Sequence, residues 1–278
     1  MSLKLIYITN IPSVALIAEK YGVDRIMVDL ETLGKEERQK NMNTVKSNHT
    51  VCDVQNISNI LTTSEMLVRI NPWNENSIEE IDAVIAAGAD RIMLPMWQTS
   101  EEVNLFLRAV NGRVHTTLLL ETKEAAEIVD DILEHPLLDE IHIGLNDLHL
   151  SYGLTFMFEL LSNGVVESLC RKFKLKGISY GFGGIARIGE GTLPAERIVM
   201  EHYRLGSSRV ILSRSFCNVN ETTDLATIET IFSENTASLR AYEETLINKS
   251  TLEYSENTKA VKLGVDMIVC KIKEKKVQ

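Results

Sequence analysis

The sequence predicts an α/β protein of the TIM (β/α)₈ barrel class, and three observations favour this fold. Short apolar, β-branched runs alternate along the chain with segments of helical periodicity. Several predicted helices end in glycine and lead directly into a strand, as in "AGADRIML" at 87–94. Eight such strands occupy about 215 residues, which matches the core of a barrel.

The predicted strands are short and strongly apolar. They lie at 3–9, 24–30, 66–71, 90–96, 114–120, 139–144, 179–184 and 208–213. A doubly wound open sheet is the alternative topology, but it usually has a glycine-rich phosphate turn after its first strand. The segment "TNIPSVA" at 9–15 contains no glycine, and we therefore expect the barrel.

The regions outside the βα units set the domain boundaries. Residues 32–64 form a long insertion between strands two and three, which we expect to be helical in part. Residues 221–247 are predicted to form a long final helix, so the barrel domain spans 1–247. Residues 248–278 are then a C-terminal tail, polar except for "LGVDMIVC", whose apolar run would need a partner surface.

Composition excludes several classes of function. The formal net charge of −10 argues against a nucleic-acid surface, because phosphate binding needs clustered Lys and Arg. No apolar run approaches the roughly 20 residues of a membrane helix. The opening "MSLKLIYITN" lacks the basic and long apolar regions of a signal peptide, and we expect a soluble, cytoplasmic protein.

The four cysteines show neither a C-x-x-C motif nor zinc-ligand spacing. Cys52, Cys170, Cys217 and Cys270 are scattered along the chain, and we expect reduced thiols in the core.

Candidate site residues follow from the predicted fold, because catalytic groups of a barrel lie at the carboxyl ends of its strands. These ends carry Asp29, Glu31, Arg69, Asn71, Pro95, Glu121, Asp147, Arg187 and Arg214. Glu121 and Asp147 are 26 residues apart, about one βα unit, so we expect them on adjacent strands. Two carboxylates and an arginine suit Mg²⁺ or Mn²⁺ with an anionic oxygen ligand. The alternative is that Glu121 caps the next helix and Asp147 makes an Asx-turn.

Four segments carry a resemblance to a known family. They are "LVRIN", "RIMLPMWQTSEEV", "LLLETKEAAEIVDDI" and "IHIGLNDLHLSYG". Together they resemble the HpcH/HpaI aldolase and citrate lyase β-subunit family of the phosphoenolpyruvate/pyruvate barrel superfamily, over residues 24–216. The resemblance implies that Glu121 and Asp147 bind a divalent metal and that Arg69 contacts a keto-acid substrate. It also implies a homo-oligomer, a trimer or hexamer, in which the final helix packs on neighbouring subunits.

With a metal on Asp147, the segment from Gly144 to His149 acquires a role. We expect Gly144 to let the chain turn, so that backbone N–H groups near Asn146 and Asp147 face a substrate carboxylate. Pyruvate aldolases of this family carry a histidine after the D-x-E of strand two, where this chain has "DLET" with Thr32. His149 is a candidate replacement base, and its alternative is a partly buried loop histidine.

The expected function is a divalent-metal-dependent carbon–carbon lyase, a class II pyruvate-type aldolase acting on a 2-oxo acid or related carboxylate. Citrate lyases share a D-L-E-D motif followed by Lys and Arg, which "DLETLGKEER" partly matches, so a citrate-lyase-like acyl lyase is an alternative. Thr32 leaves a third reading open: a non-catalytic or regulatory barrel that keeps the ligand pocket without the base.

Overall fold

The computed structural model describes residues 2–34, 49–219 and 221–277. Its strands are β1 (Lys4–Ile8), β2 (Arg25–Asp29), β3 (Glu65–Arg69), β4 (Arg91–Leu94), β5 (His115–Leu120), β6 (Glu140–Ile143), β7 (Ser179–Phe182), β8 (Gly184–Ile185) and β9 (Arg209–Leu212). Every paired neighbour in the sheet is parallel, in the order β7-β6-β5-β4-β3-β2-β1-β9-β8.

Helices connect the strands. They are α1 (Pro12–Lys20), α2 (Val51–Ser58), α3 (Ser77–Ala86), α4 (Ser100–Val110), α5 (Lys123–Ile128), α6 (Leu145–Ser151), α7 (Glu159–Ser162), α8 (Val165–Leu175), α9 (Ala195–Leu205), α10 (Leu225–Leu246) and α11 (Thr251–Val277). Local sequence defines the start of α4: the Thr99 hydroxyl accepts from the N–H of Glu102, whose carboxylate accepts from the N–H of Thr99. Such reciprocal caps satisfy N–H groups that a helix start leaves without partners.

The barrel closes at Gly183. The predicted strand at 179–184 is interrupted there, so β7 and β8 lie at opposite ends of the strand order with one residue between them. Gly183 has a φ of +54°, and a Cβ at this position would lie 2.7 Å from Cδ1 of Leu145. Across the seam the N–H of Ser208 donates to the carbonyl of Tyr180 at 2.9 Å. The sheet is therefore a nearly closed barrel, which confirms the predicted fold class with one strand split in two.

The lumen is filled in layers. Inward residues of the first five strands form one apolar cluster: Ile6, Met27, Leu67, Met93 and Leu119. A larger cluster lies between the strands and the surrounding helices. This division is expected of a barrel, in which successive strand residues alternate between the lumen and the helix layer.

A charged layer closes the amino-terminal end of the lumen. Arg25, Arg91, Glu140 and Arg209 are the first residues of β2, β4, β6 and β9, and all four are buried. The Glu140 carboxylate accepts from Arg25 at 2.6 Å and forms ion pairs with the other two arginines. Burial, together with the neighbouring Arg25 and Arg91 charges, lowers the pKa of Arg209 to about 9. Space for a ligand is therefore at the opposite, carboxyl end.

The C-terminal region differs from the expectation in one respect. The helix expected at 221–247 is present as α10, but it is not the final helix, because α11 follows it. Val261, Val265 and Val269 of α11 are buried, and the helix packs against α7 and α9. The apolar run in "LGVDMIVC" therefore finds its partner surface within the same chain.

The apolar face of α10 is also covered within the chain. It packs against α1 and α9, which buries its central apolar side chains Ile228, Phe232, Leu239 and Leu246. This face therefore does not require a neighbouring subunit.

Three smaller expectations have mixed outcomes. The insertion at 32–64 contains α2, as expected, and its residues 35–48 lie outside the described part of the chain. Cys170 and Cys217 are buried, but Cys52 and Cys270 are exposed, so the core placement was wrong for those two. Among the described helices, none has the length and apolarity needed to cross a bilayer.

Candidate active site

A cavity of about 540 Å³ opens at the carboxyl ends of the strands. Its polar lining comes from the loops that follow β1, β2, β5, β6 and β9 and from the end of β3. The polar and charged side chains around it are Thr9, Asn10, Asp29, His49, Arg69, Glu121, His142, Asn146, Asp147, Ser213, Arg214 and Asn218. Catalytic groups of barrels are found at this end of the fold.

Glu121 follows β5 directly and is 3% exposed. Its Oε1 accepts from the N–H of Met96 at 3.1 Å. Met96 has a φ of 54°, a left-handed conformation that is unusual for a residue with a long side chain. Burial raises the pKa of Glu121 well above its usual range, the Asp147 charge raises it further, and Arg69 opposes both effects.

Asp147 lies in the first turn of α6, just beyond β6, the strand that pairs with β5. Glu121 and Asp147 line the same cavity, as their one-unit spacing predicted. The capping alternative for Glu121 was wrong, since Thr122 caps α5 by accepting from the N–H of Ala125. The two carboxylates therefore face a common space across neighbouring strands.

Gly144 is required for space and not for a special turn. Its φ of −83° is open to any residue. A Cβ at this position would lie 2.9 Å from Oε2 of Glu121 and 3.0 Å from its Cβ. The expected reason for this glycine was thus wrong: its missing side chain makes room for the Glu121 carboxylate.

Arg69, the last residue of β3, is held in a fixed orientation. Its Nε and Nη2 donate to the two carboxylate oxygens of Asp29, each at 2.8 Å, and its Nη1 lies 3.3 Å from Glu31. Burial lowers the pKa of Arg69, but Asp29 and Glu31 outweigh it and the net direction is upward. The bidentate pair fixes the plane of the guanidinium at the cavity wall.

The charge balance of this site suits a cation. The carboxylates of Asp29, Glu31 and Glu121 act on the Arg69 guanidinium, and the Asp147 carboxylate in turn acts on Glu121. Within the described ranges, no group of three or more His, Cys, Asp or Glu side chains is arranged to hold a metal ion. Mg²⁺ and Mn²⁺ typically use one or two protein carboxylates and complete their shell with water and substrate. Glu121 and Asp147 fit that limited role, because a cation between them would offset a buried carboxylate whose pKa is raised.

The structure does not bring His149 to the cavity. This histidine is buried on α6, its Nδ1 lies 3.2 Å from the carbonyl oxygen of Leu145, and it is absent from the described cavity lining. Thr32, at the position of the expected histidine, is exposed, and its N–H and hydroxyl donate to Oδ1 of Asn71. Neither His149 nor Thr32 therefore provides the general base that the sequence comparison led us to expect.

His49 is a cavity residue that sequence reasoning missed. It lines the wall beside Asp29, whose backbone N–H donates to Nδ1 of the imidazole at 3.0 Å. In the sequence the residue lies in the insertion between β2 and α2, 20 positions after Asp29. The sequence around it carries no motif, and folding alone brings it to the site.

Comparison with known proteins identifies the family of the chain. A family model described as HpcH/HpaI aldolase/citrate lyase matches residues 6–159, more than half of the chain. The barrel fold and this family match together support an enzyme with lyase activity. The chain belongs to the HpcH/HpaI aldolase/citrate lyase family.

Solved structures show how widely the fold is shared. The chain is similar to an HpcH/HpaI aldolase from Desulfitobacterium hafniense DCB-2, with 15% identity, a TM-score of 0.62 and coverage of 86% of this chain and 93% of that one. A family protein from Burkholderia cenocepacia J2315 gives 15% identity, a TM-score of 0.60 and coverages of 82% and 95%. Tryptophan synthase from M. tuberculosis gives 14% identity, a TM-score of 0.59 and coverage of 86% of this chain and 93% of that one. Similarity at this level therefore shows the fold alone. No curated protein sequence matches the chain.

Proposed function

We propose that this protein is a divalent-metal-dependent carbon–carbon lyase that acts on a 2-oxo acid or related carboxylate. One observation carries the proposal: Glu121 and Asp147 share a cavity wall next to Arg69, and the pKa of the buried Glu121 is raised by burial and by Asp147. A cation at this point removes the repulsion between the two carboxylates. Family membership supports the lyase class, and aldolases of this family generally depend on a divalent metal.

Each of the charged cavity residues has a separate role in the proposed reaction. Glu121 and Asp147 would hold the metal, with Gly144 leaving the space that the Glu121 carboxylate needs. When bound, Mg²⁺ or Mn²⁺ would polarise the 2-oxo group and stabilise negative charge on an enolate. Arg69, fixed by Asp29, places a planar cation beside that charge. N–H groups near Asn146 and Asp147, in the first turn of α6, would face the substrate carboxylate.

Oxaloacetate provides the simplest test, because its decarboxylation to pyruvate needs enolate stabilisation but no specific aldehyde partner. We expect turnover with added Mn²⁺ or Mg²⁺ and none with EDTA. Loss of activity in both Asp147→Asn and Arg69→Lys would assign the reaction to this cavity. A wild-type protein that binds metal but turns over neither oxaloacetate nor any short aldol adduct would favour a non-catalytic barrel.

We also propose a homo-oligomer, a trimer or a hexamer. The support comes from α11, on which Leu252, Leu263 and Met267 are between 61% and 66% exposed. A monomeric mass by light scattering at micromolar concentration would contradict this.

A further inference from the structure

The cavity is charged on one side and apolar on the other, and the proposed lyase reaction uses only the charged side. Strand residues two positions apart face the same side of a sheet. Asp29, Arg69 and Glu121 each lie two positions after a residue of the apolar cluster in the lumen. Ile8 holds the same place on β1, two positions after Ile6, but its side chain is a hydrocarbon. The layer above the lumen cluster is therefore charged at β2, β3 and β5 and apolar at β1.

Ile211 on β9 extends this apolar surface. β9 pairs with β1, and Ile211 is the register partner of Ile6. Ile8 and Ile211 both pack against the lumen cluster, both are half-buried, and both line the cavity. Together they form an apolar floor in the same cavity that holds the charged residues.

This apolar floor lies across the barrel from the candidate metal ligands. With β7 and β8 counted as one interrupted strand, β1 is four positions from β5 in both directions around the barrel. The interior of an eight-stranded barrel is only about as wide as its side chains can fill. A ligand held at Glu121, which follows β5, and extending across the cavity would therefore place its far end on Ile8 and Ile211.

The described residues of this wall offer little to a charged group. Their one charged side chain, Arg214, is exposed and follows Ile211 along the chain, towards the rim of the cavity. The hydroxyl of Thr9 is buried and accepts from the N–H of Ile11 at 3.1 Å. A substrate chain that lies on Ile8 and Ile211 thus contacts hydrocarbon.

The cavity is larger than a 2-oxo acid alone requires. Its volume of about 540 Å³ corresponds to the liquid volume of about 18 waters. A three-carbon 2-oxo acid, with six non-hydrogen atoms, would fill about a third of this space. The cavity therefore has room for a second part of the substrate, and apolar walls of this kind supply much of the binding in ligand cavities.

We propose that the second part of the substrate is an uncharged aliphatic chain, so that the enzyme cleaves adducts of a 2-oxo acid with an aliphatic aldehyde of about four to six carbons. This assignment rests on the proposed lyase function and names its substrate class. The bond that breaks joins the hydroxyl-bearing carbon to the carbon beside the oxo group, and its electron pair passes into the enolate. The hydroxyl loses its proton as its carbon becomes the aldehyde, and the enolate takes up a proton on carbon. No oxidant or reductant is needed.

Binding of an acid that cannot be cleaved tests the proposal without turnover. 2-Oxooctanoate has the chain of the adduct of pyruvate with pentanal but lacks the hydroxyl. In titration calorimetry of the intact protein with Mg²⁺, it should bind at least about tenfold more tightly than pyruvate, because each buried methylene adds to the affinity. 2-Oxooctanedioate carries a carboxylate at the far end of the same chain and should bind more weakly than 2-oxooctanoate. Tighter binding of the diacid, or equal binding of 2-oxooctanoate and pyruvate, would overturn the proposal.

Variants of Ile211 test whether the chain lies on the apolar floor. Ile211→Asn places an amide there and should lower the ratio of the 2-oxooctanoate affinity to the pyruvate affinity at least about fivefold. Ile211→Ala removes contact area without adding a polar group, and should lower the same ratio if the amide prevents folding. Leu105→Asn, at a side chain 39% exposed on α4, makes the same exchange outside the cavity and should keep the wild-type ratio. A wild-type ratio in the Ile211 variants would contradict the assignment.

Turnover separates this proposal from the lyase function itself. With Mn²⁺, the wild type should release pentanal from 4-hydroxy-2-oxooctanoate with a higher kcat/KM than it shows for the corresponding diacid. If 2-oxooctanoate binds more tightly than pyruvate but neither this substrate nor oxaloacetate is cleaved, the lyase function fails and the apolar floor remains a binding site. If oxaloacetate is cleaved but 2-oxooctanoate binds no more tightly than pyruvate, the lyase function stands and the substrate class is wrong. A wild type that binds neither acid with Mg²⁺ would overturn both.

Discussion

The Gly144 backbone and the Glu121 carboxylate occupy adjoining space so closely that a single methyl group at 144 would reach to 2.9 Å from Oε2 and 3.0 Å from Cβ of Glu121. Both distances are below those of ordinary van der Waals contact. The position of one candidate metal ligand is thus fixed by the absence of a side chain on the neighbouring strand's loop.

Gly144→Ala should therefore displace Glu121 or strain the loop. We expect it to lower the free energy of unfolding by about 1–3 kcal/mol and to weaken the response to Mn²⁺. Urea unfolding with and without Mn²⁺ measures both effects. If stability and metal response are both unchanged, the close approach does not constrain the site.

The metal itself should stabilise the fold by binding the folded state. Mg²⁺ or Mn²⁺ should raise the Tm of the wild type, and Asp147→Asn should abolish most of that rise while keeping the shape of the side chain. The Asp130 carboxylate is exposed and paired with Lys172, so Asp130→Asn is the matched control and should keep the full rise in Tm. A full response in Asp147→Asn would remove Asp147 from the metal site.

Glu121→Gln should stabilise the metal-free protein above neutral pH. Burial and Asp147 raise the pKa of Glu121, so its ionised form costs stability once the pH exceeds the unfolded value of 4.5. The advantage of the glutamine should therefore be largest near pH 8 and shrink as the pH falls towards 4.5. Unfolding curves across this pH range measure the difference in free energy of unfolding between variant and wild type. Glu101→Gln, on the exposed side of α4, is the control and should change this free energy little at any pH. An advantage that does not change with pH would argue against a raised pKa.

Arg69→Lys keeps the charge but loses the planar fork that engages Asp29 at two points. We expect turnover of oxaloacetate to fall at least about tenfold while the fold survives. Circular dichroism checks the fold, and Arg113→Lys, at an exposed ion pair with Asp82, should leave turnover unchanged. Wild-type turnover in Arg69→Lys would make Arg69 a structural residue.

Two buried histidines should make the protein sensitive to acid. His202 stacks on Phe182 with ring centroids 3.7 Å apart, and burial lowers its pKa well below the usual value; burial likewise lowers the pKa of His142 to about 4. As the pH falls below about 6.5, the unfolded chain takes up protons that the folded protein excludes, so stability is lost between about pH 6.5 and 4.

His202→Phe keeps the stack on Phe182 and removes one titrating ring, although it gives up the bond to Ser207. Its stability should therefore depend less steeply on pH than that of the wild type. The exposed His115→Phe should reproduce the wild-type slope. Parallel curves for His202→Phe and wild type would show that His202 does not contribute to the acid sensitivity.

The sequence was sufficient to predict features set by local pattern. Apolar runs located every strand except β8 to within about two residues, and the one-unit spacing of Glu121 and Asp147 placed both on the cavity wall. The break at Gly183 could not be predicted, because it depends on the approach of the Leu145 side chain from the start of α6. His49 was missed for a similar reason: it reaches the cavity wall only in the folded chain, where the N–H of Asp29 donates to its Nδ1.

The pairing of β1 with β9 has a consequence for biosynthesis. β1 pairs with its second neighbour, β9, only after Arg209–Leu212 has been synthesised. A nascent chain that stops earlier therefore has two open sheet edges, with the backbone groups of β1 exposed at one and those of β7 at the other. Unpaired edge strands of this kind pair with strands of other molecules. Fragments ending before Arg209 should therefore aggregate, and the complete polypeptide gains solubility in one late, long-range step.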